Sequence, residues 1–448
     1  MRFIVLIGTL VLPACMASAG IGTLTPTSPS PSDIPRLEAL LSEDSANVVV
    51  QVALGAAYRA AGRLPEARDQ LERAVARTQD PAATLYLALT YEELHDYARA
   101  RTLYERYIGL ARASTASEQV RQRLRLVERL ELQAAAKVAV ASERQISESA
   151  LRPGTVAVLP LRYVGEDPEY RPLGRALAAH LITDLSQTDR LTVLERLEVQ
   201  AILDELALAD RGVVDEATAA GSGRMLRAEH VVQGSIDVAR ERVELNAVIV
   251  AVADAAARSP VNESDALARI FDVEERLALS LYASLGIQLT ATERERVLQR
   301  PTENLRALLA YGRGLEAEDR GDYTQAAREY GEAARLDPGF QAAGEAAERA
   351  EDIGQAVGAG VDQMASIAVS ELAVSATAAS ASDAPGATSR ASRPAAQTGP
   401  NLNPSPLGEL DALSTLLPDP LTRDAGSEVL GREGVAASTI LRIIFRRP

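Results

Sequence analysis

The sequence predicts an α+β multidomain chain, with α-helical solenoid segments flanking a central α/β domain that carries a small mixed sheet. Three observations predict it. Residues 48–80 and 81–114 align on each other at an offset of 33, and a related stretch returns at 307–340. Between them, over 153–299, short β-branched runs alternate with helical periodicity. The composition is helix-rich: alanine, leucine, arginine and glutamate dominate, aromatics are 4% and tryptophan is absent. One cysteine in 448 residues leaves stability to packed cores, without disulfides.

The chain opens MRFIVLIGTLVLPAC. Arg2 supplies a positive start and residues 3–12 an apolar run. That run is too short for a ~30 Å hydrocarbon core, which takes roughly 20 residues. It has the size of a secretory signal peptide, assigned to 1–14. Leu12-Pro13-Ala14-Cys15 resembles the bacterial lipobox. The resemblance implies lipidation of Cys15 and, with Met16 instead of Asp after it, sorting to the periplasmic side of the outer membrane. Pro13 departs from the usual small or branched residue at that position. Multiple acyl chains, each buried methylene contributing about 0.8 kcal/mol, would make that anchor stable. The alternative is an ordinary signal peptide cut after Ala17 or Ala19, releasing a periplasmic protein. Residues 15–35, small, polar and Pro-rich, form a flexible tether.

Repeats and a capping helix are expected over 36–147. Leu54, Gly55, Tyr58, Ala67, Leu71 and Ala74 align with Leu87, Ala88, Tyr91, Ala100, Tyr104 and Tyr107. Gly314, Ala326, Tyr330, Ala333 and Pro338 take the corresponding places in a hairpin at 303–353. The small residues let two antiparallel helices approach closely, and the Tyr and Leu side chains fill the cleft between pairs. Turns are visible in AGRLPEA (61–67), LHDYARA (94–100) and RGDYTQA (320–326). The pattern resembles the tetratricopeptide (TPR) repeat, which implies protein–protein docking. Such repeats need neighbours to bury their faces, so the helix at 115–147 is read as a cap running on as a spacer, its charges a solvated face.

In the central domain, TVAVLPL (155–161) reads as a buried strand and LTVLER (191–196) as a second. Helices are expected at 172–187, 197–209, 215–227 (capped by Asp215) and 263–285, with a capping box at Thr290 and Glu293. Strands 230–239 and 242–253 alternate, joined by an Arg240-Glu241 turn, with Val243, Leu245, Ala247 and Ile249 on one side. These features, above all Val156-Ala157-Val158-Leu159-Pro160, Val193-Leu194-Glu195-Arg196 and Val231 to Ile236 with Gly234, resemble the CsgG-type family of curli-secretion lipoproteins. Related lipoprotein activators of penicillin-binding proteins and the TolB amino-terminal domain are similar. The resemblance covers about 140 residues and implies a periplasmic or outer-membrane role without catalysis.

Residues 354–437, rich in Ala, Ser, Gly and Pro, read as a low-complexity linker. Residues 438–448 alternate as a C-terminal strand, for this protein's own sheet or for a partner's edge. No catalytic, cofactor or metal constellation is visible. His95, His180 and His230 stand singly, and Gly221-Ser222-Gly223-Arg224 lacks the ending of a phosphate loop. A formal charge of −15 without a basic run argues against nucleic acid as a partner. The expectation is a non-enzymatic outer-membrane lipoprotein scaffold that binds protein partners through its repeats and touches the membrane through its lipid. The alternative is an oligomeric secretion-channel component, for which the hairpin 230–253 alone would supply strands, without an aromatic girdle.

Overall fold

The computed structural model describes residues 29–382, apart from 112–113, 148–149 and 207–214. The assigned signal peptide, Cys15, most of the tether, the linker beyond 382 and the C-terminal strand lie outside the described residues. Helices α1 (Ile34–Glu43), α2 (Val48–Ala60), α3 (Leu64–Arg77), α4 (Pro81–Glu93) and α5 (Tyr97–Leu110) form stacked antiparallel pairs. Their starts are written locally: Asn47, Asp80 and Asp96 each accept a hydrogen bond from a backbone N–H in the first turn. Gly62, His95 and Gly321 occupy the same point of three helix-to-helix turns, all at positive φ (71°, 59° and 76°). α2 and α4 are buried nearly all round, so each needs cover on every side.

α6 (Thr115–Ala141) is longer than the others and serves two cores. Val120 and Val127 belong to the core of the first array, while Ala136 packs under the central sheet with Leu132 and Val140. Its charges are not all solvated, as its sequence suggests. Arg123, Arg129 and Glu131 are buried, and each meets an opposite charge from another helix. The cause is geometric: a helix packed on several sides has too little exposed face for all its charges.

The central domain contains β1 (Arg152–Val158), β2 (Arg162–Tyr163), α7 (Leu173–Leu185), β3 (Thr192–Val193), α8 (Arg196–Glu205), α9 (Glu216–Met225), β4 (Ala228–Ala239), β5 (Arg242–Ala251), β6 (Val261–Ala266), α10 (Ile270–Ser284) and α11 (Ala291–Val297). The sheet order is β3-β1-β4-β5-β6, with β2 also on β4. β1 runs parallel to β3 and β4, whereas β4, β5 and β6 are antiparallel. Arg240 and Glu241 both take positive φ (51° and 57°), the backbone of a two-residue hairpin turn. At Gly234 a Cβ would come within 2.2 Å of the Asn246 carbonyl oxygen, so only glycine fits against β5. Alternation divides the side chains: Val243, Leu245, Ala247 and Ile249 face α7 and α10, while Val231, Val250 and Ala157 face α8, α9 and the end of α6.

The expected helix over 263–285 is corrected at its start. Residues 261–266 are strand β6, and α10 begins only at Ile270. The alternation in VNESDA is of charge rather than hydrophobicity, which is why it does not read as a strand. Glu263 and Asp265 are paired by Arg276 of α10, an edge strand carrying charge. A second antiparallel pair, β5–β6, therefore exists beside the expected hairpin.

After the domain come α12 (Leu305–Asp319), α13 (Tyr323–Leu336) and α14 (Gln341–Ser382). The linker assignment is corrected here: residues 354–382 are helical. α14 breaks at Gly360, whose φ of 64° and ψ of −175° suit glycine alone. Beyond the break, Met364, Ile367, Ala368 and Leu372 are buried in the core of the first array. Their i, i+3, i+4, i+8 spacing is a helix face, diluted by alanine and serine until average composition hides it; alanine itself is the best helix former.

Candidate functional site

The residues expected to pack between the helices of each pair lie as follows. At Gly55 a Cβ would lie 2.6 Å from Leu71 Cγ, and at Gly314 one would lie 2.4 Å from the Tyr330 ring. Ala67, Ala88, Ala100 and Ala326 are fully enclosed, and Leu54, Leu87, Tyr104 and Tyr330 are buried beside them. Tyr58 donates to Glu38 and Tyr91 to Glu72, the same bond one repeat on. Burial raises the Tyr91 hydroxyl to about 12, helped by the Glu72 carboxylate it donates to.

Two buried clusters share one design. Glu92 accepts from Tyr104 at 2.6 Å and from Arg123 of α6, whose other nitrogen donates to the Ala356 carbonyl at 3.0 Å. Glu318 accepts from Tyr330 at 2.9 Å and from Arg196 of α8, which also reaches Asp319. Arg175 of α7 holds Asp319 at 2.8 Å, and Arg129 of α6 donates to the Glu318 carbonyl at 2.9 Å. The C-terminal hairpin is thus bonded to three helices outside itself. Sequence reasoning missed Glu92, Arg123, Glu318 and Arg196. The signal was present: Glu and Tyr stand 12 apart in both hairpins.

The part of α14 after Gly360 lies in a helix-shaped seat. Ser375 donates to Asp80 at the start of α4, and Tyr107 of α5 donates to Glu371 at 2.8 Å. At the other end, Asp362 adds its charge to the burial that raises the Glu93 carboxyl. The segment therefore runs antiparallel to α4 along its whole length.

Other ionisable groups stand apart from these clusters. His180 is buried against Phe340 at 6.0 Å between centroids, and desolvation lowers it to about 4. His95 meets the Tyr97 hydroxyl at 2.8 Å and His230 meets Arg258 at 3.0 Å. Asp184 of α7 and Glu274 of α10 share a buried hydrogen bond; burial raises Asp184 to about 7 and Glu274 well above its usual range. Gly223 is a packing site, since a Cβ there would lie 2.5 Å from Val231 and Val252. Among the described residues no group of three or more His, Cys, Asp or Glu could hold a metal, and no helix is long and apolar enough to cross a membrane.

Residues 131–242 match the family described as curli production assembly/transport component CsgG. The match begins on the second half of α6 and ends at the first residue of β5, so the spacer helix falls partly within it. No curated protein matches the chain.

Proposed function

We propose that this protein is a secretion-associated scaffold of the cell envelope, held by a lipid on Cys15 at the periplasmic face of the outer membrane. The observation that carries the reading is the match of residues 131–242 to a curli assembly and transport family. The flanking helical hairpins, read as TPR units, supply docking faces for protein partners, and the α/β domain supplies a second contact. The reading is non-enzymatic: the buried acids of both clusters are committed to arginines, and Asp184 and Glu274 to each other.

The β4–β5–β6 meander favours a second reading, a subunit of an oligomeric secretion channel. Against it, β4 and β5 are covered on both faces by helices, and the hairpin carries no aromatic side chain. The experiment is the mass of the complex extracted in mild detergent, for the native chain and for Cys15→Ala. A small species that leaves the membrane fraction with Cys15→Ala supports the tethered scaffold. A ring-sized homo-oligomer supports the channel. Unchanged membrane association of Cys15→Ala removes the lipid anchor from either reading.

A further inference from the structure

We propose that the seat along α4 is a docking site for one amphipathic helix of a partner protein, and that residues 361–377 of this chain occupy it in cis. The inference rests on the scaffold reading and names the class of partner.

Three features make the occupant exchangeable. The segment is joined to the first half of α14 through Gly360, whose non-helical backbone breaks the helix there and which has open space around it. Its side chains are mostly small, and its outward face, Gln363, Ser366, Ser370 and Val374, is exposed. The Glu371 and Ser375 bonds to α5 and to the start of α4 lie toward its C-terminal end. By contrast, the first half of α14 is held by Gln122, Arg123 and Arg125 of α6 through Asp352, Gln355 and the Ala356 carbonyl.

The seat also defines what it would bind. A ligand needs apolar side chains at i, i+3, i+4 and i+8, matching Met364, Ile367, Ala368 and Leu372, and an acceptor for Tyr107 one residue before the last of them. Such helix-in-groove recognition is a common mode of peptide binding, and a cis competitor lowers apparent affinity by the fraction of time it is seated.

The test uses the full chain and a fluorescent peptide of residues 361–377, followed by anisotropy. Two variants open the seat by different routes: Ile367→Asp with Leu372→Asp removes the cis anchors, and Gly360→Ala strains the bend without touching the apolar surface. Both are expected to bind the peptide at least tenfold more tightly than the native chain. Equal binding by the native chain and both variants, or none by variants that melt cooperatively, overturns the proposal. A dimer formed by Gly360→Ala and dispersed by peptide assigns the seat to a second copy and overturns the partner helix. Peptide binding by an opened chain that co-purifies with no envelope protein leaves the seat standing and removes the scaffold. Co-purification unaffected by opening, with no peptide binding, does the reverse.

Discussion

The hairpins α4–α5 and α12–α13 carry the same Glu–Tyr pair at the same spacing, and differ in who supplies the arginine. For Glu92 it is Arg123, from the next helix of the same stack. For Glu318 it is Arg196, from the first turn of α8 in the α/β domain. A helical pair cannot bury its face alone. The first hairpin uses a helix like itself as neighbour, whereas the second uses a domain of another architecture. A recurring internal cluster can thus be satisfied from different folds, provided a cation arrives at the same place.

The sharpest way to break this comparison is to remove each acid. Glu92→Ala leaves the buried Arg123 without its carboxylate and is expected to cost about 3–5 kcal/mol in chemical denaturation; Glu318→Ala, where the half-buried Arg196 keeps Asp319, is expected to cost less. Hydrogen exchange distinguishes them. Glu318→Ala loosens α8, while Glu92→Ala loosens α6 and the first half of α14 around Ala356. The same exchange pattern in both variants would mean that the two arginines do not act as separate links.

A third buried acid site, without an arginine in its hydrogen bond, supplies the contrast. Asp184 and Glu274 bind protons in the folded state that they release when unfolded, because burial raises both. Their contribution to stability is complete below about pH 4, the unfolded carboxylate range, and is lost as pH rises through about 7 for Asp184. The native chain should therefore lose more stability across that window than Glu274→Gln does. Parallel stability profiles for the two proteins would contradict the raised Glu274 carboxyl.

The glycines sharpen the comparison further. Gly314→Ala drives a Cβ into the rigid Tyr330 ring, and Gly55→Ala drives one against Leu71 Cγ. Both should destabilise by about 1–3 kcal/mol, Gly314→Ala by more. The smallest effect has the opposite sign. His95 holds positive φ where the two related turns have glycine, so His95→Gly should gain roughly 0.5 kcal/mol in melting experiments.

Much of this fold is legible in the sequence where one period dominates. The 33-residue offset locates α2 to α5, and period-2 alternation locates β4 and β5 with Val243, Leu245, Ala247 and Ile249 inward. What escapes is structure whose pattern is written in charge or in small residues. β6 alternates acids that meet Arg276, and 361–377 spreads its apolar stripe among alanines and serines. The arginine clusters escape for another reason: Arg196 and Glu318 are 122 residues apart, and nothing local marks them as partners.

α6 is one unbroken helix of 27 residues, about 40 Å at 1.5 Å per residue, with its two ends in different cores. Each residue of an α-helix turns the chain by about 100°. Inserting a single residue near its middle would therefore rotate the first array by more than a quarter turn against the sheet, and would carry Arg123 and Arg129 out of phase with each other. Insertions of whole turns, near seven or eleven residues, would restore the angle, yet even seven would part the two ends by about 10 Å along the axis. In this protein the length of one helix is as constrained as the identity of any side chain on it.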